Sequence, residues 1–112
     1  METAEQKSVS GQLDDVRTAI DEIDEEIVAL IWRRERLVRL AGGLKESDAA
    51  VRSPKRMEEV IAHVRHAAEE QDSDCNVVER TYKAMIEAFI DYELKIRHQT
   101  ENQRKLDAFS NS

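Results

Sequence analysis

From Leu13 onward an apolar residue recurs at every third or fourth position: Leu13, Val16, Ile20, Ile23, Ile27 and Leu30. Steps alternating between three and four place all six side chains on one stripe of an α-helix; a strand, with its period of two, would scatter them over both faces. The stripe passes through Arg34 and resumes with Leu37, Ala41 and Leu44. A helix over residues 12–44 runs ~50 Å at ~1.5 Å per residue, whereas a compact chain of this size has a radius of gyration of only ~13 Å. So long an apolar stripe stays partly wet in a lone subunit, which predicts an intertwined homodimer with the long helices of two chains paired. A three-helix monomer with a curved first helix is the alternative.

Two shorter helices are expected after it. Gly42 and Gly43 weaken the first helix near its end, and residues 48–53 read as a loop. Ser53 followed by Pro54 is an N-cap with proline in the first turn. The helix it opens carries Met57, Val60, Ile61, Val64, Ala67 and Ala68 on one face, and the polar residues 71–74 end it. A third helix is expected from Asn76, with Glu79 closing a capping box, and with Val78, Tyr82, Met85, Ile86, Phe89 and Ile96 on its inner face. Glu93 falls on that same face. The last two helices, of about 18 and 24 residues, span only ~27 and ~36 Å. The expected architecture is all-α: a three-helix protomer over residues 12–100 forming a dimeric helical bundle, with a flexible polar arm at 1–11 and a polar tail at 101–112.

Composition narrows the function. Three glycines, one proline and 37% charged residues suit helices rather than sheets. A net charge of -7 argues against general nucleic-acid binding, which calls for a basic surface. Charges interrupt every apolar run, so no membrane span is expected, and the absence of an apolar leader makes the cytoplasm the expected location. Cys75, the single cysteine, has no partner for an internal disulfide. His63 and His66 lack a third ligand and read as surface residues, so no metal is expected. Arg33, Arg36 and Arg39, interleaved with Glu35, read as a solvated face, and Trp32 as a packing residue.

Arg34 and Glu93 are different, because each occupies an apolar face, and a buried charge costs several kcal/mol unless something pairs with it. Either they pair with each other or they line a cavity whose ligand supplies the partner. The further cations Arg17, Lys45, Arg52 and Arg56 favour the cavity. Arg17 and Arg34 stand 17 positions apart, about 25 Å along a helix, too far to grip one small molecule within a subunit. If two copies of the first helix lie antiparallel, Arg17 of one chain approaches Arg34 of the other, and a dianion is held by guanidiniums from both.

The run Leu13, Arg17, Ile20, Asp21, Ile23, Asp24, Ile27 and Arg34, followed by Lys45, residues 51–56 and Glu93, resembles the all-helical AroQ class of chorismate mutases over nearly the whole of residues 13–100. Residues 44–56, LKESDAAVRSPKR, are most similar to the isochorismate-pyruvate lyase branch of that class. The resemblance implies an interlocked homodimer acting on a small dicarboxylate without metal or cofactor. Each of its two sites takes Arg17 from one chain and Arg34, Lys45, Arg56 and Glu93 from the other. It further implies that Arg17 and Arg34 hold carboxylates, that Lys45 and Glu93 donate hydrogen bonds to the breaking ether oxygen, and that Arg56 helps to close residues 46–53 over the substrate. Met57, Phe89 and Ile90 are the remaining expected substrate contacts.

Two departures from the mutase pattern matter. Many mutases carry glutamine where this chain has Glu93, and a glutamate donates only when protonated; turnover is therefore expected to fall as pH rises, and Glu93→Gln to flatten that profile. The mutase motif V-R-D-x-x-R-E is replaced by Val51-Arg52-Ser53-Pro54-Lys55-Arg56-Met57, which loses both acids. By resemblance, the lost glutamate contacts the ring hydroxyl of chorismate. The expected activity is rearrangement of chorismate to prephenate, then, as alternatives, cleavage of isochorismate to salicylate and pyruvate, and a non-enzymatic helical dimerisation module.

Overall fold

The computed structural model describes residues 8–110, and among these every regular element is a helix: α1 (Val9–Leu44), α2 (Asp48–Val51), α3 (Pro54–Glu70) and α4 (Cys75–Ser110). Three are long and α2 is a single turn, so the all-α expectation holds, while part of the loop expected at 48–53 is helical. The reason is local: the Ser47 hydroxyl accepts from the Ala50 N–H at 3.1 Å, and Asp48 sits in the first turn, where a carboxylate favours the helix dipole. No helix among the described residues is long and apolar enough to cross a membrane.

α1 begins earlier than expected. Ser8 Oγ accepts from the Gly11 N–H at 3.0 Å, a serine cap that draws Ser10 and Gly11 into the helix, so the expected arm at 1–11 is not an arm from Val9 onward. Its first residues lie outside the described ones.

The chain divides into two compact units, Met1–Arg36 and Leu37–Ser112. Within the first, the apolar stripe is open: Leu13, Val16, Ile20, Ile23, Ile27 and Leu30 are between 46% and 56% exposed. The Arg36 guanidinium lies 5.0 Å from the centre of the Trp32 ring, a cation–π contact on the same helix.

The second unit has a core. α3 packs on α4 as their apolar faces predict, burying Ile61, Val64 and Ala68 from α3 and Leu94 from α4, and α2 adds Val51. Ser53 caps α3 as expected, its hydroxyl accepting from the Arg56 N–H at 3.2 Å. After Glu70 the backbone turns through Asp72, whose φ of 52 is left-handed, a region that aspartate tolerates better than most residues. α4 is capped by Asp74 rather than Asn76: Asp74 Oδ1 accepts from the N–H groups of Asn76 and Val77 at 2.9 and 3.0 Å. An ionised carboxylate at a helix N-terminus gains from the dipole as well as the hydrogen bonds, and so outcompetes the amide one turn position later. Glu79, freed from the expected capping box, pairs with Arg65 at 3.6 Å and Lys83 at 3.7 Å.

α4 also runs on to Ser110, through residues expected as a polar tail. Glu101, Gln103, Arg104 and Lys105 are polar yet good helix formers, and Gln103 Nε2 donates to Asp107 Oδ1 at 2.9 Å across one turn.

Candidate active site

α1 ends at Leu44, and Lys45 is the first residue beyond it, its N–H donating back to the Gly42 carbonyl at 3.3 Å. From there the Lys45 side chain reaches α4, where its ammonium donates to both Glu93 oxygens, at 3.1 and 3.2 Å. Glu93 is only 5% exposed, the one charged residue among the buried side chains described. A carboxylate so placed needs a partner, and Lys45 supplies it. The pair arises from positions 48 apart in sequence, and both partners are among the residues expected in the site.

Gly42 makes this possible. It is the only buried residue of α1, and a Cβ placed there would lie 2.6 Å from Glu93 Oε1 and 3.0 Å from its Cγ. Read from sequence as a weak point of the helix, Gly42 is where α1 leaves room for the carboxylate of α4. Gly43 has nothing within 4 Å of its own Cβ position.

The pair lines a cavity of about 510 Å³, with Gly42 and Tyr92 beside it and Arg97, Thr100 and Arg104 farther along α4. Cavities of this volume accommodate small organic molecules. Arg97 was not anticipated, although it follows Glu93 by one helical turn and so shares its face. Its Nη1 donates to the Lys45 carbonyl at 2.8 Å and its Nε to Asp48 Oδ1 at 3.2 Å. His98 Nε2 meets the other Asp48 oxygen at 2.8 Å. The hydrogen bonds from His98 and then Arg97 hold the Asp48 carboxyl below the usual carboxylate range.

The other expected residues lie on α1, α3 and α4. Arg56 is exposed and pairs with Glu59 at 3.5 Å, one turn along α3. Met57, Phe89 and Ile90 are half-buried where α3 and α4 present their apolar faces. Arg17 is exposed and Arg34 half-buried, both on the part of α1 that belongs to the first unit. His66, set aside as a metal ligand, pairs with Glu70 at 3.0 Å.

An ammonium from the connection after α1 and a carboxylate from α4 face one cavity and offer it hydrogen bonds and charge. The sequence profile of chorismate mutase type II matches residues 16–94, a span holding Arg17, Arg34, Lys45, Arg56 and Glu93. The chain belongs to that family. It is also 35% identical over 88 residues to an isochorismate pyruvate lyase of Pseudomonas aeruginosa, covering 79% of this chain and 87% of the relative. This is therefore an enzyme of the chorismate mutase type, with the family's all-helical fold. Arg97 lies on α4 beyond the matched span.

Proposed function

We propose that this enzyme rearranges chorismate to prephenate in aromatic amino-acid metabolism, as a cytoplasmic homodimer without metal or cofactor. The observation that carries the reading is the Lys45–Glu93 pair at the cavity wall. When the ether bond of the substrate breaks, negative charge grows on its oxygen, and a preorganised ammonium in a water-poor site stabilises that charge where bulk water would have to reorganise. In the free enzyme Lys45 is the donor and the Glu93 carboxylate the acceptor.

One remaining binding group, Arg17, comes from a second copy. Six apolar side chains about half exposed on the first unit would each contribute on the order of 1 kcal/mol on burial against another α1. Antiparallel pairing carries Arg17 of one subunit to the site of the other, where Arg17 and Arg34 hold the two substrate carboxylates, while Arg56, Met57, Phe89 and Ile90 complete the enclosure.

Cleavage of isochorismate to salicylate and pyruvate is the second reading. Ser53 and Met57 favour it, because they stand where mutases carry acids, and so does the likeness to the lyase of Pseudomonas aeruginosa. Incubation with chorismate and, separately, isochorismate decides: prephenate from the first supports the mutase, salicylate with pyruvate from the second and no prephenate ranks the lyase first. Turnover of neither, with no binding of a dicarboxylate transition-state mimic, rejects both.

A further inference from the structure

Lys45 sits just past the end of α1, where helical hydrogen bonds no longer fix the backbone, yet its ammonium must meet the reacting oxygen within a fraction of an ångström for charge stabilisation to work. α4 grips this residue at both ends. Glu93 holds the ammonium, and one turn later Arg97 holds the carbonyl at 2.8 Å. The same guanidinium reaches Asp48 at 3.2 Å, so one side chain ties the residue that follows α1 to the start of α2. It is well sheltered for an arginine, its side chain 18% exposed. His98 and the buried Val51 fasten α2 to the same helix. Two of the Arg97 nitrogens are thus spent on the protein's own acceptors, a fork geometry that lysine cannot reproduce.

We propose that Arg97 is a positioning residue for the reaction assigned above: it acts through Lys45, aiming the ammonium and holding the α1–α2 turn closed beside the cavity. The inference rests on that reading of the site, and its test separates the two. Arg97→Gln and Arg97→Ala are compared with the unaltered protein by steady-state kinetics on chorismate and isochorismate, corrected for folded fraction, and by hydrogen exchange over residues 45–52. The expected result is a fall in kcat on the order of 10²-fold, the scale for a reacting group misplaced by about an ångström, with KM little changed. Exchange over residues 45–52 quickens, and added guanidinium ion partly restores kcat in Arg97→Ala but not in Lys45→Ala. Arg97→Lys is not expected to rescue, because a single point charge cannot serve both acceptors. Unchanged kcat, a loss that merely tracks the unfolded fraction, or a loss in KM alone would overturn the assignment, the last by making Arg97 a substrate ligand. If the unaltered protein turns over neither substrate, the functional reading fails and exchange alone decides the grip: faster exchange in Arg97→Gln upholds it, unchanged exchange removes it.

Discussion

Gly42 and Gly43 form a matched pair on which the account of the site can be tested. Both lie in the last turn of α1, neither has a positive φ, and alanine in place of glycine in a helix is worth roughly 0.5–1 kcal/mol. At Gly43 a new methyl meets nothing within 4 Å, so Gly43→Ala is expected to raise stability by about that amount or somewhat less so near the helix end. At Gly42 the same methyl would lie 2.6 Å from Glu93 Oε1, 3.0 Å from Cγ and 3.2 Å from Cδ. Carbon atoms rest about 3.5–4.0 Å apart, so Glu93 must retreat by up to about an ångström. An exposed glutamate would swing away at little cost, but this one is buried and its carboxylate is tied to Lys45. Overpacking of this kind costs about 1–3 kcal/mol, which exceeds the helix gain and leaves Gly42→Ala destabilised by roughly 0.5–2 kcal/mol. The effect on turnover should be larger than the effect on folding, on the order of 10²-fold in kcat, because the retreating group belongs to the pair proposed to act on the substrate. Thermal unfolding and steady-state kinetics of the two variants side by side are the assay. A Gly42→Ala enzyme as stable and as active as Gly43→Ala would show that Glu93 is not confined as described, and the space given up by Gly42 would have no catalytic meaning.

The Asp48 carboxyl is held below its usual range by His98 and Arg97, so the stability it contributes is fully present above the ordinary carboxylate value of about 3.9 and is lost as pH falls through its lower folded value. The gap in melting temperature between the unaltered protein and Asp48→Asn should therefore be constant at neutral pH and shrink only below that range; a gap that closes between pH 7 and 5 would contradict the assigned cause. If each site draws Arg17 and Arg34 from different subunits, Arg17→Ala and Arg34→Ala are each inactive alone, while an equal mixture refolded together regains about a quarter of normal turnover, since half the dimers are mixed and each has one intact site. No recovery on mixing would place both arginines in one subunit's site or in none. Restoring the two acids with Ser53→Asp and Met57→Glu should shift the ratio of kcat/KM for chorismate over isochorismate upward by about tenfold or more, the worth of one charged hydrogen bond, and an unchanged ratio would free these positions from any role in choosing the substrate.

What the sequence could disclose was whatever depends on near neighbours along a helix. The stripe from Leu13 to Leu30, the Ser53 cap and the apolar faces of α3 and α4 are periodic or local, and each stands where spacing predicted. Arg34 and Glu93 were conspicuous for the same reason, as charges breaking a periodic apolar pattern. Polarity misled where propensity decided: residues 101–110 look like a tail by hydropathy and are helical because their side chains favour the helix. The site itself is written at long range. Lys45 meets Glu93 across 48 positions and Arg97 meets the Lys45 carbonyl across 52, and nothing in the spacing of one chain marks a guanidinium that serves a backbone oxygen.

Glycine shows most clearly why the division falls there. Taken alone, Gly42 and Gly43 are two equal defects in a helix; only the arrival of Glu93 from α4 separates a position that must lack a side chain from one that merely does. The same logic extends past the single chain. The stripe on the first unit is about half exposed and shares its helix with two arginines 17 positions apart, and an apolar surface of that extent is the kind that marks an interface. In the proposed dimer that interface is a second α1, and the chemistry of a dianion explains why both positive groups would face it.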